Sequence, residues 1–178
     1  MEEAVRSFLL VLAVGLVVAL PVAAQDSTST SGTATLQEAN APATPHVMVS
    51  PVDIKWSDAP PFLMKGAKFT VVSGDPGAAG PFTIRLKMPA GYKISPHWHP
   101  ADENVTVLAG TFSLGMGDKF DVASMKALPA GGFALLPAQM HHFAWTKGGA
   151  TVQVHGTGPF AITYVNPSDD PRQAAGTK

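Results

Sequence analysis

Between His46 and Pro167 the chain is cut into ten short runs of strand-forming residues, and no stretch of about twelve residues sustains a helical period. The runs are "HVMVS", "VDIKW", "KFTVVS", "FTIRLKM", "NVTVLAG", "TFSLGM", "FALLPA", "HHFAW", "TVQVH" and "FAITYV". Gly- and Pro-bearing separators such as "SGDPGAAGP", "PAGY", "PAGG", "KGGA" and "GTGP" punctuate them as turns. So divided, the chain has neither the helices of a bundle nor the crossovers of a parallel sheet. What remains is an all-β sandwich or barrel, in which closure also removes exposed edges. Phe82, Ile84, Leu86 and Met88 alternate with Thr83, Arg85 and Lys87, so this run has one buried and one wet face.

Composition narrows the class further. The 178 residues suit one core; 46% are hydrophobic and 14% charged, which excludes a disordered chain. Net charge is -1 with no basic run to neutralise a row of phosphates, so nucleic acid is set aside as a partner. There is no cysteine, and a metal would have to be held by nitrogen and oxygen.

Four segments are expected. Residues 1–24 read as a signal peptide, with an uncharged run from Ser7 to Ala24, Pro21 near its end and small residues before Gln25, although Glu2 and Glu3 outnumber Arg6 at its start. The product would be exported, periplasmic or secreted, with no stable membrane insertion once the signal is cleaved; retention as an anchor is the alternative. Residues 25–45 read as a flexible linker rich in Ser, Thr, Ala and Pro, 46–167 as the β domain, and 168–178 as a disordered tail.

The chemistry concentrates in "GYKISPHWHPADENVTVLAG". His97, His99 and Glu103 share parity, so in an extended segment their side chains leave one face and can converge. Two imidazoles and a carboxylate are ligands for Fe, Mn, Cu, Ni or Zn, with positions left open for water or substrate. Trp98, Pro100 and Asp102 take the opposite parity, and Asp102 becomes the substitute carboxylate if the strand is bulged.

Gly91, His97, His99, Glu103 and Gly110 occupy every fixed position of G-x5-H-x-H-x3-E-x6-G, and the chain here resembles the cupin superfamily. Its second motif, G-x5-P-x-G-x2-H-x3-N, is met by Gly131, Pro137 and His142, while Gln139 stands in for a glycine and Thr146 for the asparagine. The resemblance implies a single jelly-roll-like β-barrel and His142, rather than neighbouring His141, as the fourth ligand of one divalent transition metal. The glycine that Gln139 replaces normally adopts positive φ, so this turn is either of another type or strained. His155 and Gln153 share parity and are assigned weakly to the barrel interior as substrate contacts.

The resemblance also implies a small-molecule partner and, from habits of the superfamily, a homodimer. Two functions remain open: a metal-dependent enzyme of dioxygenase, oxidoreductase or isomerase type, and a non-catalytic module that binds or senses a small ligand or metal in the cell envelope. No catalytic acid or base is assigned.

Overall fold

The computed structural model describes residues 46–174. The expected signal peptide (1–24) and linker (25–45) lie outside the described residues. Among the described residues no helix is long and apolar enough to cross a membrane.

Ten strands form one curled sheet in which every pairing is antiparallel. They are β1 (Ser57–Asp58), β2 (Lys68–Ser73), β3 (Gly80–Met88), β4 (Lys93–Trp98) and β5 (Glu103–Met116), then β6 (Lys126–Pro129), β7 (Phe133–Leu136), β8 (His142–Trp145), β9 (Ala150–Gly158) and β10 (Thr163–Tyr164). The order across the sheet is β1-β2-β3-β9-β5-β8-β4-β10, with β6 and β7 also on β5. The domain is all-β, as its pattern of short runs and turns predicts.

The alternation in β3 does what its pattern requires. Phe82, Ile84, Leu86 and Met88 are buried, Lys87 is exposed, and Thr83 and Arg85 lie between. Rows of branched residues then cross three strands: Ile84 opposite Val154 opposite Val105, and Leu86 opposite Val152 opposite Val107. Burying each such side chain contributes about 1.5–3 kcal/mol, which makes these rows the core and fixes their register.

"NVTVLAG" and "TFSLGM" join into the single strand β5, which bonds β9 and β7 through its first half and β8 and β6 through its second. The hinge is Gly110, at φ 74°. A Cβ there would sit 2.2 Å from the Gly149 carbonyl oxygen, so neither the conformation nor the space admits a side chain. Gly110→Ala is expected to cost at least about 3 kcal/mol, read as a lowered urea midpoint with unchanged m.

Two expectations fail at the ends of the domain. Neither "HVMVS" nor "VDIKW" is a strand: residues 46–50 are exposed and irregular, Pro51–Asp53 makes a 3-10 turn with Pro51 near its start, and 54–56 are irregular up to β1. Val47 and Met48 remain exposed, without the buried face that would make strand pairing worthwhile. The tail expected to be disordered over 168–178 is instead ordered as far as Ala174, with a 3-10 turn at Pro167–Asp169 and a helical turn at Pro171–Ala174. Asn166 caps the first turn by accepting from Ser168 N, and Asp170 pairs with Arg172 at 2.6 Å. These local bonds compensate for the lack of apolar residues. Residues 175–178 lie outside the described residues.

Candidate metal centre

The histidine pair rides on β4, where His97 faces inward, and on the residue beyond it, where His99 does the same; both are buried. The chain then turns through residues 99–102, and Glu103 opens β5. Glu103 therefore reaches the site by way of a turn, and the shared parity that pointed to it is not the mechanism. His142 opens β8, opposite His97 in the register.

One ring nitrogen from each of His97, His99 and His142 falls within 4.8 Å of the others. The His97 and His142 rings have centroids 4.2 Å apart. Glu103 Oε2 lies 3.3 Å from His142 Nε2 and 3.5 Å from His99 Nε2. His141 points elsewhere, half-exposed, with Nδ1 2.6 Å from Asp118 Oδ1. Asp102, the substitute carboxylate, is exposed and accepts from Ala138 N at 2.8 Å, so it secures the second-motif turn.

Hydrogen bonding sets the tautomers. His97 Nδ1 is 2.7 Å from Ser95 O, His99 Nδ1 2.7 Å from Ala161 O and His142 Nδ1 2.9 Å from Met140 O. A carbonyl only accepts, so each Nδ1 must carry the proton and donate it. With Nδ1 so committed, Nε2 of each ring is the nitrogen left to face inward. Burial, reinforced by the neighbouring His142 and His99, pushes His97 down to about 3. Burial also lowers His99, against the opposing charge of Glu103. For Glu103 burial pushes the carboxyl up, but the His142 ring against it and the other imidazoles outweigh this and leave the group below its usual range.

The result is a knot of acceptors with no proton to share. His99 Nε2 is buried and has no hydrogen-bond partner, which is costly unless a cation takes the lone pair. Three imidazoles and a carboxylate are the donor set of a divalent transition metal, with each imidazole oriented by a carbonyl behind it. The residues fit the ion.

The second-motif turn grips the first motif from outside. Gln139 N donates to His99 O at 2.8 Å, and Gln139 holds φ 63° despite having a side chain. The turn type is thus retained with strain, which answers the question raised by the missing glycine. Gln139→Gly is expected to raise stability by about 0.5–1 kcal/mol, the relief being partly offset by extra freedom in the unfolded chain. Thermal unfolding checks this, with metal content unchanged.

A cavity of about 340 Å³ opens onto His97, His99 and Glu103. Phe69, Val71, Ile84, Leu86 and Ile94 form much of its wall. Pro60, Phe62 and Leu63 form another part, their segment held by Tyr164 Oη donating to Phe62 O at 2.8 Å and Tyr92 Oη donating to Met64 O at 2.5 Å. Phe160 closes one side, stacked on the His99 ring at 4.2 Å and 19°.

Gln153 and His155 do not reach this cavity, contrary to their assignment as substrate contacts. Val152 and Val154 are the inward residues of β9, so the alternate positions face the other side of the sheet. There Gln153 accepts from Arg85 Nε at 3.0 Å, and His155 O accepts from Asn104 Nδ2 at 3.2 Å. Neither Phe160 nor Ala161 is singled out by the sequence, although the Phe160 ring stacks on His99 and the Ala161 carbonyl accepts from its Nδ1. The signal that could have placed Gln153 and His155 was present in the Val-x-Val spacing of "TVQVH". For Phe160 and Ala161, far from the motif in the chain, no local signal exists.

No curated protein matches this sequence. Among solved structures, the polyketide cyclase RemF from Streptomyces resistomycificus is similar at TM-score 0.59 and 18% identity, over 73% of this chain and 92% of that one. A protein provisionally described as an acetylacetone dioxygenase, from Methylibium petroleiphilum PM1, gives TM-score 0.55 and 18% identity over 75% and 96%. An RmlC-like cupin from Shewanella frigidimarina NCIMB 400 gives 0.50 and 16% over 64% and 92%. Identities this low speak for the fold alone. The sequence itself is matched over residues 44–161 by the ChrR Cupin-like domain family. With both histidine motifs and the barrel in place, the chain belongs to the ChrR Cupin-like domain family, within the cupin superfamily.

Proposed function

We propose that the protein is an exported, metal-dependent cupin enzyme that binds a small molecule over a cation held by His97, His99, His142 and Glu103. One observation carries this reading: inward-facing acceptors converge where an apolar cavity ends. When bound, a divalent metal supplies Lewis acidity, and a redox-active one supplies electron exchange with oxygen. The chain does the rest. Carbonyls at Ser95, Ala161 and Met140 keep the three rings in one tautomer, and Glu103 contributes a negative charge at the same point. The hydrocarbon walls exclude water and strengthen electrostatic interactions inside. The solved neighbours include one described as a cyclase and one as a dioxygenase, so reaction type rests with the metal and substrate.

A non-catalytic binding role has one observation in its favour. Among the described residues, Asp75 is the only titratable side chain besides His97, His99 and Glu103 that lines the cavity. Oxygen uptake by Fe(II)-loaded protein, and product analysis with Zn(II) or Mn(II), using phenolic, diketone and thiol probes, separate the two. Turnover that vanishes with EDTA supports the enzyme; binding without product under every metal supports the binding module. Export rests on the uncharged Ser7 to Ala24 run, and an intact mass beginning at Gln25 in the periplasmic or secreted fraction tests it.

A further inference from the structure

The walls of the cavity bear on which molecule enters it. Register pairs Phe69 with Leu86 and Val71 with Ile84, and these four line the cavity. Alternation therefore sends Lys68 and Thr70 of β2, and Arg85 and Lys87 of β3, to the opposite face. Arg85 is committed there to Gln153. Among the described residues no lysine or arginine lines the cavity: its carboxylates are Glu103 at the inner end and the exposed Asp75. Val71 is 45% exposed while lining the same space, so Val71 and Asp75 mark its opening.

We propose that this cavity selects a neutral molecule that presents an oxygen donor to the His97, His99 and His142 centre and fills the walls with hydrocarbon, and that it rejects a molecule carrying an anionic group on that body. The inference rests on the metal reading above and narrows it to a substrate class. A buried carboxylate or phosphate is costly without a cationic partner, and among the described residues these walls supply no lysine or arginine while Asp75 repels it at the opening. The volume, near the low end of the usual 300–1,000 Å³ or so of ligand pockets, suits one ring with modest substituents.

The test compares 4-tert-butylcatechol with 3,4-dihydroxybenzoate, which share a chelating end and differ in the body. Calorimetric titration uses the full chain, once loaded with Zn(II) and once treated with EDTA. The neutral probe is expected to bind zinc-loaded protein at least tenfold more tightly than the acid. Val71→Lys, at an exposed position, should narrow that ratio at least threefold by improving the acid. Asp75→Asn, which keeps the acceptor used by Gly77 N, should narrow it in the same direction. Equal affinities, preference for the acid, binding of neither probe, or an unchanged ratio in both variants overturns the proposal. If the neutral probe is preferred equally with and without zinc, the selectivity stands and the metal reading fails.

Discussion

Replacing His97 and His99 together with alanine is expected to reduce bound metal from about one equivalent to under about a tenth, measured by elemental analysis of protein purified without a histidine tag. Loss of an outer partner of a ligand already costs about 10–100-fold in affinity, so removing two ligands outright exceeds that. The variant also removes two buried polar rings, one of which leaves its Nε2 unpaired. Its metal-free fold should therefore suffer less than its metal binding. The wild-type protein gains about 4 kcal/mol of apparent stability at a free metal concentration 1,000 times Kd, whereas the variant gains nothing. Unfolding midpoints with and without added Zn(II) show the difference. A variant that still gains stability from the metal would move the site elsewhere.

Acid should unfold the metal-free protein through the same residues. Burial holds folded His97 at about 3, against about 6.5 for an unfolded histidine. Between those values the unfolded chain binds the extra proton and the folded chain does not, so stability rises with pH across the window. His97 thus leaves stability intact above about pH 6.5 and removes about 3 kcal/mol between pH 7 and pH 4. His99, lowered in the same direction, adds to the slope. Glu103, held below its usual range, contributes stability that is lost as pH falls through its folded value. Urea midpoints in EDTA from pH 7 to pH 4 measure the effect, and His97→Gln should flatten the curve. A profile identical in wild type and His97→Gln contradicts the assignment of a buried neutral imidazole.

Much of this was legible locally because the controlling interactions are local. The β3 alternation told inside from outside without reference to the rest of the chain, and the two motifs fixed which histidines meet. Parity worked for His97 and His99, which sit on or just past one strand. It identified Glu103 for a reason the fold does not use, since a turn intervenes. Parity misled at His155 and Gln153, where inward direction was taken from an interior role instead of from Val152 and Val154, the apolar partners in the same strand. "HVMVS" shows the limit of β-propensity: its apolar residues have no layer to cover. Phe160 and Ala161 were beyond reach because their contacts with His99 depend on the return of the chain from β9. Gln139 shows a departure from the motif absorbed by strain, with the turn and its bond to His99 O kept.

The most direct test is anomalous diffraction from crystals grown with stoichiometric Mn(II), Fe(II) or Zn(II). The account predicts one strong peak at about 2.0–2.2 Å from Nε2 of His97, His99 and His142, with a Glu103 oxygen in the same shell. A peak located on the His141 and Asp118 pair, or no peak beside the three buried rings, would contradict it.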